Sequence, residues 1–165
     1  MKVYEIKRVD GRPCWDTIDA LPIDVPYLNT PGDIVARAQI AYDSTALYLH
    51  LWAKEPDVRC VETGLLGSPC EDSCLEFFFC PVENDNRYLN IEFNANGCLY
   101  LGIADSIQNL VRLLVPDVEA LMLPDIRKRD DGWEIFYQVP YSLIQRFFPD
   151  FTVYESKSMR ANCYK

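Results

Sequence analysis

The chain has 165 residues, 49% of them hydrophobic, 13% aromatic and 25% charged; it is long and apolar enough to bury one core, and its composition is not that of a disordered segment. A net charge of −9, with no cluster of Lys and Arg, argues against nucleic acid as a partner, because phosphate contacts need such clusters. No apolar run reaches the length of a membrane span, so no membrane partner is expected, and an acidic surface suits a neutral ligand or a cation.

Residues 2–9 alternate like a strand and carry no signal-peptide core, which makes the cytoplasm the default location, with secretion the alternative if a leader has been removed. Gly11-Arg12-Pro13 breaks this strand. Trp15, Ile18, Leu21 and Ile23 follow in a Pro- and Asp-rich meander with little regular structure expected, Trp15 serving to plug it against the body, and Pro22 to Pro31 reads as a surface loop. Residues 34–42 and 46–54 alternate and are joined by the turn former Asp43-Ser44-Thr45; Leu47, Leu49 and Leu51 point inward, and Tyr48, His50, Trp52 and Lys54 outward. Residues 57–71 form a connection containing Gly64, Gly67 and Pro69.

The segment 72–80 is a dense core strand with a carboxylate inside it: Leu75, Phe77 and Phe79 share one face, and Asp72, Cys74, Glu76 and Phe78 the other. A charge there is costly unless it is paired or faces a ligand or water. Residues 87–94 place Leu89, Ile91 and Phe93 against Tyr88, Asn90, Glu92 and Asn94, and Asn96-Gly97 signals a hairpin returning through 98–103. Residues 105–120 are ambiguous, with one helical turn around 117–120; 121–129 and 133–139 form a hairpin across Asp130-Asp131-Gly132, with Trp133 in the core. Pro140 introduces a short helix, 142–147, with Ser142 as its cap, and 151–164 is an extended tail. Seven or more short strands separated by turns predict a single all-β domain, an antiparallel β-sandwich of the immunoglobulin or jelly-roll kind with one short helix. Its expected core includes Leu49, Leu75, Phe77, Leu89, Ile91, Phe93, Ile135 and Tyr137.

No catalytic residue and no cofactor follow from the residues. Seven cysteines, an odd number, cannot all pair internally. Cys74 and Cys80 lie roughly 20 Å apart along one strand and cannot share an ion, and with His50 as the single histidine reduced thiols are favoured over a zinc site. The acidic turns at Asp43 and Asp130-Asp131 have the oxygens for calcium but no loop signature. Glu71, Asp72, Glu76 and Glu92 contain the two carboxylates a glycosidase needs, although carboxylates are common on solvated sheet faces. Alternation places Arg37, Gln39, His50, Trp52, Glu76, Asn90, Glu92 and Asn94 on non-core faces. If their strands are neighbours in one sheet, they make a polar face carrying one aromatic plate, the composition a sugar site needs. The bland alternative is a covered, ion-paired layer in which Arg37 bridges Glu76 or Glu92.

The ordered series Asp43-Ser44-Thr45-Ala46-Leu47-Tyr48, Glu71-Asp72-Ser73-Cys74-Leu75-Glu76-Phe77-Phe78, Glu92-Phe93-Asn94-Ala95-Asn96-Gly97, Val139-Pro140-Tyr141-Ser142-Leu143 and Arg160-Ala161-Asn162-Cys163-Tyr164-Lys165 resembles the family 9 carbohydrate-binding modules, closest to their stand-alone bacterial branch. The resemblance implies a β-sandwich that holds a small saccharide or glycan end on one sheet face. It also implies service in polysaccharide breakdown beside xylanase-type enzymes, and a structural calcium. It places Glu76 at a sugar-contacting carboxylate and Asn90 near a polar sugar contact. The family's stacking tryptophan falls at Cys70 here, and family members continue beyond the position of Lys165 with further aromatic residues, so a module truncated at its C-terminus is expected. The ligand-binding set expected is therefore Trp52, Glu76, Asn90, Arg37, His50 and Glu92. An enzyme or enzyme subunit of sugar metabolism, and a ligand-free interaction domain, are the alternatives.

Overall fold

A computed structural model describes residues 3–24 and 33–165. Among the described residues, eleven strands form two sheets. The first contains β1 (Lys7–Arg8), β2 (Leu21–Ile23), β3 (Val35–Tyr42), β4 (Ala46–Lys54), β9 (Asp125–Arg129) and β10 (Gly132–Pro140), in the order β1-β3-β4-β10-β9, with β2 sharing the outer edge of β3. The second contains β5 (Cys74–Cys80), β6 (Tyr88–Asn94), β7 (Leu99–Ala104), β8 (Val111–Arg112) and β11 (Arg160–Tyr164), in the order β11-β5-β6-β7-β8. Pairing is antiparallel except between β1 and β3. Two short helices, α1 (Val118–Met122) and α2 (Tyr141–Phe147), complete the β-sandwich.

The inner faces are those that period-two alternation assigns. Ala38, Leu49, Leu51, Trp133 and Ile135 from the first sheet meet Leu75, Phe77, Phe79, Ile91 and Phe93 from the second, all buried. All eight expected core residues are in this cluster. The turns follow local chemistry. Asp43 Oδ1 accepts hydrogen bonds from the Thr45 and Ala46 amides at 2.6 and 3.0 Å, an Asx-type turn that closes the β3–β4 hairpin. Gly97 takes φ +81° in the β6–β7 hairpin, where an L side chain would be strained, and Asn94 Oδ1 accepts from the Asn96 and Cys98 amides.

Four expectations differ from the structure. The first strand shrinks to Lys7–Arg8, because it pairs only with the last two residues of β3. The meander after Trp15 contains β2; its pairing with β3 is a tertiary contact that the prolines conceal. The loop expected between Pro22 and Pro31 lies, from residue 25 on, outside the described residues. The helix starts at Tyr141 and no side chain caps it; the Tyr141 amide donates instead to Thr45 O at 2.8 Å. The tail becomes regular only at β11, where it adds an edge strand to β5. No helix among the described residues is long and apolar enough to cross a membrane.

Candidate functional site

The outer face of the second sheet is built by cross-strand register. One row runs Tyr164, Glu76, Glu92, Tyr100 across β11, β5, β6 and β7; the next runs Asn162, Phe78, Asn90, Gly102, Arg112. Directly paired residues bring their Cβ atoms to about 5 Å, so side chains far apart in the chain converge. They enclose a groove of about 580 Å³, whose lining includes Glu76, Phe78, Tyr88, Asn90, Glu92 and Tyr164. Ile107 and Leu110, from the segment leading to β8, form part of its wall. Phe78 is its central ring, 5.9 Å from Tyr88 and 5.2 Å, edge-on, from Tyr164.

The groove's polar end is short of donors. Asn90 is 1% and Glu92 7% exposed. Asn90 Nδ2 donates to Glu92 Oε1 at 2.7 Å, while Asn90 Oδ1 and Glu92 Oε2 have no hydrogen-bond partner among the described residues. Burial and the neighbouring Glu92 push the Glu76 carboxyl up to about 7, against the pull of Lys165. Burial also raises Glu92, opposed by its Asn90 hydrogen bond and by Arg112. Buried acceptors without donors are costly, so this end of the groove offers open acceptors to any group that can donate. Cys74 Sγ and one oxygen each of Glu76 and Glu92 lie within 4.8 Å of one another. Burial holds the Cys74 thiol far above its ordinary value, with the charges of Glu76 and Glu92 adding to the shift.

The structure separates the expected site residues into two groups. Glu76, Asn90 and Glu92 meet in the groove. Arg37, His50 and Trp52 lie on the outer face of the other sheet, where Arg37 pairs with Trp52 and β4 pairs with β10 rather than with β5. The two outer faces are on opposite sides of the core, so one small saccharide cannot touch both groups, and an Arg37 bridge to Glu76 or Glu92 cannot form. Alternation reports which face a residue takes but not which sheet it joins. His50 is 9% exposed and is held within its own cluster. Its Nδ1 lies 2.7 Å from Gln39 Oε1 and its Nε2 3.1 Å from Glu134. Its ring stacks on Trp52 at 4.6 Å and on Phe136 at 4.0 Å, with Trp15 tilted beside it at 5.4 Å. Burial lowers the His50 pKa against the pull of Glu134.

Sequence reasoning passed over Phe78, Tyr88 and Tyr164 as aromatic plates. The signal for the first two was present, since Phe78 alternates with Glu76 and Tyr88 with Asn90. Tyr164 had no local signal, because only β11 pairing aligns it with Glu76. Cys70, which the resemblance sets at the family's stacking tryptophan, is exposed and is not part of the groove lining. Asp72 is not a site residue. Its Oδ2 accepts from the Val61 and Glu62 amides and from Asn94 Nδ2, at 2.7–2.8 Å, and so fastens the 57–73 connection to the sheet.

The profile of the family described as carbohydrate-binding family 9 matches residues 15–165. No curated protein matches the chain. Among solved structures, a candidate carbohydrate-binding protein of Bacteroides uniformis ATCC 8492 superposes with a TM-score of 0.78 at 24% identity, over 96% of this chain and 81% of its own. A family 9 module of Caldicellulosiruptor kristjanssonii in complex with glucose superposes with a TM-score of 0.58 at 12% identity, over 97% and 73%. A structure of a family 9 module of that organism in complex with cellotriose gives 0.51 at 12% identity, over 84% and 64%. At these identities the structural likeness establishes the fold.

Proposed function

The chain belongs to carbohydrate-binding family 9, a family of binding modules and not of catalysts, and we propose that it holds its saccharide in the outer groove of the second sheet. The observation that carries this reading is the pair of buried, unpartnered acceptors Asn90 Oδ1 and Glu92 Oε2 at the polar end of an aromatic-lined groove. Sugar hydroxyls donate to Glu76, Glu92 and Asn90, while the C–H face of the ring lies against Phe78, Tyr88 or Tyr164.

Binding without chemistry is part of the proposal. Glu76 and Glu92 project side by side from paired residues of adjacent strands, with oxygens within 4.8 Å. A glycosidase carries its two carboxyls on opposite sides of the scissile bond; these two project from adjacent strands of one sheet face, on the same side of any sugar lying on it.

Calorimetric titration with glucose, xylose, cellobiose and xylobiose tests the assignment. A hydroxyl that loses a charged acceptor loses roughly 1.5–3 kcal/mol, so Glu92→Gln is expected to weaken binding about tenfold or more. Tyr164→Ala should weaken it too, and Trp52→Ala, on the far face, should leave it unchanged. The groove assignment fails if none of these sugars binds the parent protein, or if Trp52→Ala is the damaging substitution.

A further inference from the structure

The charge balance of the groove's polar end is one-sided. Glu76 and Glu92 are adjacent, and among the described residues neither has a Lys or Arg within ion-pair distance. The nearby cations are committed elsewhere. Lys165 also lines the groove and pulls the Glu76 carboxyl down, but its Nζ is engaged 2.9 Å from Glu55 Oε2. Arg112 donates to the carbonyls of Leu65 and Gly67 at 2.7 and 2.8 Å and lies over the Tyr100 ring. Arg160 lines the other end of the groove, paired with Cys80, four residues along β5 from Glu76. The remaining titratable groups around the pair, Cys70, Cys74, Tyr100 and Tyr164, carry no positive charge.

The hydrogen-bonding balance is one-sided in the same sense. Asn90 has spent a donor on Glu92, and what remains open at the buried end is Asn90 Oδ1 and Glu92 Oε2, with the Glu76 carboxylate beside them. All are acceptors. A neutral hydroxyl offers one proton and no charge. A primary ammonium offers three protons and the missing positive charge at once.

Resting on the saccharide reading above, we infer that the groove prefers a sugar bearing a free primary amine, its ammonium seated between Glu76 and Glu92 and against Asn90 Oδ1. Acylation of that nitrogen would remove both the charge and two of the three donors. The raised Glu76 carboxyl agrees with a pair that lacks its counter-ion when empty.

The test is calorimetry at pH 6.5 and fixed salt, with chelator present to keep metal ions off the carboxylates. Glucosamine, N-acetylglucosamine and glucose are compared on the parent protein and on the double substitution Glu76→Gln, Glu92→Gln. Glucosamine should bind at least tenfold more tightly than glucose, and N-acetylglucosamine should lose that advantage. In the double variant the glucosamine-to-glucose ratio should fall toward one. Equal affinity for glucosamine and glucose in the parent overturns the amine preference and leaves the saccharide groove standing. Failure of all three sugars to bind overturns both. A preference that survives in the double variant assigns it to the overall negative charge and also overturns the inference. The parent comparison decides the matter even if the variant does not fold.

Discussion

Glu76 shows what a carboxylate inside a core strand costs the fold. Its carboxyl is pushed up to about 7 by burial and by Glu92, whereas an unfolded glutamate titrates near 4.3. Between those values the folded protein holds a proton that the unfolded chain has released. Stability contributed by this site is therefore full below about pH 4.3, falls as pH rises toward 7, and stays reduced above it. Glu76→Gln removes that dependence. The variant is expected to melt on the order of 5 °C above the parent at pH 8, and to lose this advantage near pH 4.5, while binding saccharide more weakly. Melting curves across pH 4–8 check it; parallel profiles for parent and variant would mean that Glu76 titrates normally in the fold. The charge was conspicuous in the sequence because it interrupts Leu75-Glu76-Phe77-Phe78-Phe79. Its partner was not, because only the β5–β6 register sets Glu92 opposite it.

At the scale of the element, the first sheet is held by β10, which pairs with β4 along nine residues and with β9 on its other side. Its first residue is Gly132, opposite Lys54 and Arg129. A Cβ there would meet Ala53 O at 2.0 Å, a backbone atom that cannot swing away. Gly132→Ala must therefore separate β10 from β4 at the end where the Glu55 amide donates to Asp131 O. The expected loss is about 3 kcal/mol, or roughly 6–12 °C in melting temperature for a chain of this size. A loss within about 1 °C would show that the strands part there without penalty. The turn Asp130-Asp131-Gly132 was legible as a hairpin signal, but the close approach of β4 to its glycine was not.

At the scale of the whole molecule, Glu55 connects the two sheets. It follows β4, is 4% exposed, and accepts from Trp133 Nε1 at 2.7 Å and Ser73 Oγ at 3.0 Å. Lys165, just after β11, completes the cluster at 2.9 Å. Removing one partner of a buried pair leaves an uncompensated charge, at a cost of about 3–5 kcal/mol. Lys165→Met is expected to lower stability by about 3 kcal/mol in denaturant melts. It should also raise the Glu76 pKa further, since Lys165 now holds it down; carboxyl titration by NMR reads that second effect. A neutral melt with an unmoved Glu76 would place Lys165 outside the cluster.

The sequence by itself determined the fold class, the face each strand residue takes, the core, and the carboxylates and amide of the groove. These are local properties, since a period of two and the chemistry of a turn act over a few residues. Tertiary structure alone decided which strands are neighbours. It sent the β3–β4 hairpin to the opposite sheet from β5 and β6, taking Arg37, His50 and Trp52 away from the groove. It brought Tyr164 to Glu76 by adding β11 at the sheet edge. Both outcomes follow from long-range pairing, which is set by how two apolar faces close on one core, and a strand's own alternation carries no record of the partner it will meet.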